Sequence, residues 1–272
     1  IGTGSFQYCI SLEEITIPKN VKTIYSSAFD GCSALSSLSF TQNTKTGFYL
    51  SVNGSAFSNC IALKNIAFST NVSYLGSSAF YGCSSLTSLE LPDSIIEIDN
   101  LAFSKCSALE SLKLPSKLKK LGYAFISGTP ITSLTIPATL TSCGYNSSYG
   151  GGPLGNAESL TSLTIESGME TIPDYLAHFS NDSSHLLSIS IPDSVTRISD
   201  SAFYKCQKLT SVSLPDSLQY IGSCSFQYCI SLEAITIPKN VKTIDSYAFD
   251  GCSALSSLSF TQNTKTGFYL SV

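Results

Sequence analysis

The stretch LTSLELPDSIIEIDNLAFSKC, residues 86–106, sets a frame that the rest of the chain repeats. Its marks are Leu86, Leu89, Leu91, Pro92, Ile95, Ile98, Ala102, Phe103 and Cys106, or L-x2-L-x-L-P-x2-I-x2-I-x3-A-F-x2-C. The frame recurs as Leu12, Ile15, Ile17, Pro18, Val21, Ile24, Ala28, Phe29 and Cys32. It recurs again as Leu186, Ile189, Ile191, Pro192, Val195, Ile198, Ala202, Phe203 and Cys206. Anchored on the first leucine, eleven units start at Leu12, Leu35, Leu63, Leu86, Leu109, Ile131, Leu160, Leu186, Leu209, Leu232 and Leu255. Six of the ten steps are 23 residues, so the chain reads as a solenoid of leucine-rich-repeat length.

Longer steps mark insertions near 41–52 and 144–153, and the unit from Leu160 loses its regularity over 173–185. That unit keeps Met169 and Ile172 but blurs the Ala-Phe anchor into Leu176-Ala177-His178-Phe179. A longer repeat lies on top. Residues 1–52 and 221–272 differ only at Thr3/Ser223, Gly4/Cys224, Glu14/Ala234, Tyr25/Asp245 and Ser27/Tyr247. This block duplication reads as an array cut in mid-pattern, a fragment of a longer protein. The expected continuation after Val272 resembles Asn53-Gly54-Ser55-Ala56-Phe57.

Each unit predicts a short parallel strand whose fourth and sixth positions point inward, since strand side chains alternate. Proline closes the strand in seven units, where its missing N–H ends a ladder. The Ala-Phe-x2-Cys segment is expected to form a short helical turn whose Phe plugs the core. One unit cannot bury such a stripe alone, whereas stacked neighbours can. The structural positions of the frame include Phe29, Cys32, Phe80, Cys83, Phe103, Cys106, Phe203, Cys206, Phe249 and Cys252.

The unit resembles the BspA-type leucine-rich repeat, found in surface antigens of bacteria and of mucosal protozoan parasites. The resemblance spans essentially the whole chain and is weakest from about 141 to 185. It implies a leucine-rich-repeat solenoid, cell-surface display and adhesion to a host surface or matrix protein. It implies no catalytic residues and no cofactor.

Composition bounds the alternatives. The chain is 43% hydrophobic and 12% charged, with a mean hydropathy of +0.19, which suits a folded core. A net charge of −4 argues against nucleic-acid binding, which needs a basic stripe. No apolar run approaches the ~20 residues that would insert in a membrane.

Eight of the ten cysteines occupy one repeat position, which reads as a column of free structural thiols rather than a disulfide framework. Steps of 23 residues also lack the close pairs of zinc sites. Cys143 falls in a core position, and Cys224 stands out as the expected exposed thiol. His178 and His185 lie in the irregular unit near Asp174 and Asp182 and read as structural, not as a catalytic dyad. Sequons at Asn53, Asn71, Asn146 and Asn181 permit glycosylation without arguing for it.

The outward strand positions carry mostly Ser and Thr, from Glu14 and Thr16 to Ser257 and Ser259, and read as a solubility face. Binding hot spots favour aromatic side chains. The candidate ligand contacts are therefore tyrosines off that face: Tyr81, Tyr204, Tyr145 and Tyr149, with Tyr8, Tyr25, Tyr228 and Tyr247 on similar turns. The Gly150-Gly151-Gly152 run lacks the P-loop ending and reads either as a flexible insertion or as a contact loop bearing Tyr145 and Tyr149. An intracellular protein-interaction scaffold is the alternative function, since free thiols suit a reducing cytosol.

Overall fold

The computed structural model describes residues 1–42, 49–149, 151–180 and 184–261. These residues wind into a solenoid with three walls. The first wall is built from the strands that open each unit, among them Glu14–Ile17, Ser37–Phe40 and Asn65–Ala67. They pair in parallel at the anchor spacing: Glu14 faces Ser37, Ser37 faces Asn65, and Ser133 faces Ser162. The second wall holds a six-stranded sheet running from Thr23–Ile24 to Ser142–Cys143, and a four-stranded sheet from Thr171–Ile172 to Thr243–Ile244.

All seven strand-closing prolines sit at the corner between these walls. Each accepts, through its carbonyl, a hydrogen bond from the N–H three residues on, as in Val21 to Pro18 at 3.1 Å and Val195 to Pro192 at 3.1 Å. The corner thus uses the one backbone group that proline retains.

The third wall corrects the expected helical turns. Among the described residues the only helix is a 3-10 turn at Ser147–Tyr149. Along the Ala-Phe-x2-Cys segments, hydrogen bonds alternate between two partners. Ala28 and Cys32 donate three residues back, to Tyr25 and Phe29. Ser27, Phe29 and Gly31 donate instead to Gly54, Ala56 and Ser58 of the next unit. Left-handed backbone at Ser27 (φ 56°) and Gly31 (φ 72°) points these donors along the stack. A right-handed helix cannot contain such residues. The result is a ladder of tight turns, with lateral bonds in place of helical ones.

The core runs along the axis. Phe29, Phe57, Phe80 and Phe103 are fully buried and stack with centroids 5.1, 5.4 and 5.7 Å apart. Phe203, Phe226 and Phe249 form a second stack at 5.3 Å spacings. Each buried Phe contributes roughly 2–3 kcal/mol through area removed from water. Between the stacks, ladder bonds set Ile126 level with Phe103, and Ala177 level with Phe203.

The cysteine column has its own ladder. The thiols of Cys32, Cys60, Cys83 and Cys106 donate to the carbonyls of Phe6, Phe29, Phe57 and Phe80, one unit back, at 3.1–3.3 Å. Cys206, Cys229 and Cys252 repeat the contact onto Ala177, Phe203 and Phe226. All ten cysteines are free. Burial pushes the Cys60 and Cys106 thiols up to about 12. Cys143 pairs level with Leu121 on the second wall, and burial raises its thiol as well.

Candidate functional site: an aromatic patch on the turn wall

The insertion after Cys143 folds back on the third wall. Asn146 and Gly151 exchange backbone hydrogen bonds at 2.8 and 3.0 Å, and the Asn146 side chain accepts from the Ser148 N–H. Gly152 then donates to His178 at 2.9 Å, while its own carbonyl accepts from Ala124 at 3.0 Å. The insertion thereby becomes a rung of the ladder. Its glycines permit the approach: a Cβ on Gly152 would lie 1.8 Å from the Tyr175 carbonyl oxygen. The described part of this segment is therefore docked, not a free loop. Gly150 lies outside the described residues.

Docking brings aromatic rings together. Tyr145 stacks on Tyr175 with centroids 4.6 Å apart and meets His178 edge-on at 4.8 Å. His178 stacks on Tyr204 at 4.3 Å, and Tyr204 meets Tyr228 edge-on at 5.8 Å. Tyr149 packs instead on Tyr123, at 5.4 Å. His178 is buried, and desolvation, aided by the nearby Lys205 charge, lowers its pKa to about 4. It is a neutral ring wedged between tyrosines. Burial, with Asp174 next in effect, raises the Tyr175 hydroxyl.

Of the tyrosines expected to contact a ligand, Tyr145 and Tyr204 join one patch through His178, and Tyr228 joins it through Tyr204. Tyr149 lies on the same insertion, while Tyr81 sits apart with the Lys105 ammonium 5.2 Å from its ring centroid. The sequence reading missed Tyr175 and His178 as members. The available signal was their place in the unit that departs most from the frame, next to the insertion that bears two tyrosines.

Other expected sites land differently. Cys224 is half-buried, and desolvation, then Asp200 and Asp250, raises its thiol, so it is not the exposed reactive group. The exposed cysteine is Cys9. Asn71 is buried with its side chain bonded to Ser69, so its sequon is closed in the folded chain. Asn53 and Asn146 are partly exposed, and Asn181 and Asp182 lie outside the described residues.

The first wall carries a shallow groove of about 570 Å³, whose lining includes Ser88, Glu90, Ser111, Lys113, Ser133 and Thr135 and no aromatic residue. Elsewhere on this wall hydroxyls bond between neighbouring strands, as Thr16 Oγ1 does with Ser39 Oγ at 2.8 Å. Among the described residues no group of His, Cys, Asp and Glu is placed to hold a metal ion. None of their helices is long and apolar enough to cross a membrane.

Six copies of the BspA-type leucine-rich repeat region match residues 1–49, 48–154 and 177–269. The chain belongs to the BspA-type leucine-rich repeat family. Solved structures similar to this BspA-type chain include the pneumococcal vaccine antigen PcpA, 23% identical with a TM-score of 0.51, covering 94% of this chain and 69% of that one. A leucine-rich repeat protein from Bacteroides ovatus is 26% identical with a TM-score of 0.43, covering 95% and 81%. A leucine-rich cell surface protein from Faecalibacterium prausnitzii is 21% identical with a TM-score of 0.46, covering 96% and 82%. The PcpA likeness shows a shared fold. No curated protein sequence is significantly similar to this BspA-type chain.

Proposed function

We propose that this chain is a non-enzymatic binding module, displayed at a cell surface and adhering to a host-surface or extracellular-matrix protein. The observation that carries the reading is the aromatic patch Tyr145–Tyr175–His178–Tyr204–Tyr228 on an otherwise hydroxyl-rich molecule. Tyrosines fixed by packing give contact area at little entropic cost. Membership of the BspA-type family supports the surface setting. The ring contacts of His178 are tyrosines, an arrangement suited to a rigid surface rather than to proton transfer.

The test is binding of the purified chain to immobilised matrix proteins and to intact host cells, beside a chain carrying Tyr145→Ala and Tyr228→Ala. Saturable binding that falls at least tenfold in the variant is expected. Binding that the variant retains in full would remove the patch from the reading. Antibody to the chain should also stain intact source cells. Staining only after permeabilisation would favour an intracellular interaction scaffold, a reading that the ten free cysteines support.

A further inference from the structure

The two near-identical blocks differ at five positions, and four of them, at 3/223, 4/224, 25/245 and 27/247, lie in the turn wall or at its corner. Ser27 becomes Tyr247 and Gly4 becomes Cys224 on left-handed backbone, while Tyr25 becomes Asp245. The first wall changes once, at Glu14/Ala234, and the core not at all. The turn wall is thus the surface on which otherwise fixed copies have separated. Tyr247 is 67% exposed there, one rung from Cys224.

The chemistry of that wall is aromatic and acidic. Asp174, Asp200 and Asp250 are all exposed on it. Asp174 accepts from the Asp200 N–H at 2.9 Å, Asp200 from the Ser223 N–H at 3.0 Å, and Asp250 from the Gln227 amide at 2.7 Å. Asp174 and Asp200 both act on the Tyr175 hydroxyl, and the Tyr228 N–H bonds the Asp250 carbonyl at 2.8 Å, so the three carboxylates share the wall that carries these rings. Lys205 shares the wall, with its ammonium 3.4 Å from the Ser180 carbonyl oxygen.

The chain itself shows what such rings hold. Lys105 lies over Tyr81, and the Arg197 guanidinium lies 3.6 Å from the Tyr220 ring centroid. Tyr81 and Tyr204 occupy the same place in their units, and so do Lys105 and Tyr228 in the units that follow. Where the earlier turn supplies a lysine to its tyrosine, the later turn supplies a second tyrosine. A cation over a tyrosine face gains roughly 0.5–2 kcal/mol, more as water is excluded.

We infer that the turn wall between Asp174 and Asp250 takes an arginine- or lysine-bearing segment of a protein partner, its cations seated over tyrosine faces and paired with the flanking carboxylates. This rests on the binding function proposed above and names the chemistry of the partner. It also places recognition on the turns and not on the strand groove.

The test uses the whole chain and a fluorescent 15-residue Gly/Ser peptide carrying five arginines, beside its citrulline counterpart, followed by anisotropy near physiological salt. The arginine peptide should bind at least about tenfold tighter than the citrulline one, a difference of about 1.4 kcal/mol. Tyr228→Leu and the pair Asp174→Asn with Asp200→Asn should each weaken it at least fivefold. Tyr228→Phe, which keeps the ring, should restore binding. Glu90→Gln with Glu110→Gln on the strand wall should change it less than twofold, and thermal melts check that every variant is folded. Equal affinity for the two peptides overturns the inference, as does absence of binding to either. Loss equal in the strand-wall variant overturns it too, because it would reflect general attraction to a chain of net charge −4. Matrix-protein binding that survives those outcomes would leave the binding function standing and its cationic partner rejected.

Discussion

His178 is out of water, and its low pKa makes it a sensor of acid. Its folded pKa, about 4, lies below the ordinary 6.5, with desolvation the larger cause and Lys205 the smaller. The unfolded chain therefore takes up the proton first as pH falls below 6.5, and stability is lost through the window down to about 4. The linkage amounts to roughly 1.5 kcal/mol between pH 6.5 and about 5. Denaturant titrations at these two pH values should show that loss, and His178→Phe should remove most of it while keeping the stack on Tyr204. An unchanged slope in the variant would mean that other groups carry it. The thiols give a second test at this scale. Cys9 should react with a disulfide reagent in the native state well ahead of Cys224, whose thiol is raised by burial and by Asp200 and Asp250. The seven thiols of the buried ladder should react only on unfolding. Mass mapping of the first labelled cysteine decides the order.

The insertion holds its tyrosines in place because two glycines let backbone touch backbone. Gly151 has φ 111°, and a Cβ there would sit 2.3 Å from the His178 carbonyl oxygen. Gly152→Ala should therefore undock the segment, lower stability by about 2–3 kcal/mol and weaken the Tyr145–Tyr175 contact. Loss of near-UV tyrosine ellipticity with an unchanged far-UV spectrum would report it, and an unchanged near-UV spectrum would refute it. This element also shows where sequence reading stops. The first wall was legible because its period of two and its proline ends are local facts: Glu14, Ser37 and Asn65 pair as the anchor spacing requires. The second row of strands, such as Thr23–Ile24 and Glu97–Ile98, is too short to show a period and was not legible as strand. The Ala-Phe-x2-Cys turns were not legible either. Ala28 and Cys32, four apart, resemble a helical face, and nothing in one unit says that Phe29 donates to Ala56 of the next. The same limit hid the patch. Tyr145 and Tyr204 could be chosen as aromatics off the strand face, but Tyr175 and His178 joined them only once a glycine-permitted rung brought the insertion alongside.

At the scale of the molecule, the duplicated ends are regular and the centre is not. The phenylalanine stack from Phe6 to Phe103 stops where Ile126 takes the column, and resumes at Phe203 after Ala177. The second wall breaks in the same region, between Ser142–Cys143 and Thr171–Ile172. In a solenoid each unit is stabilised by its nearest neighbours, so a centre that keeps the first-wall pairing of Ser133, Ser162 and Ser188 but interrupts the Phe column and the second wall should divide cooperative unfolding. Phe80→Ala leaves a cavity in the first stack and should cost about 3–5 kcal/mol. That loss should fall on amides near Ala79 and Phe103 and spare those near Phe226. Phe226→Ala should do the reverse. Native-state hydrogen exchange on both variants separates the cases, because each amide reports the unit that opens around it. Equal loss of protection at both ends in either variant would show one cooperative unit, with the docked insertion transmitting stability across the centre as fully as the phenylalanine column does elsewhere. In that case Gly152→Ala, which removes that rung, should split the single unit into two.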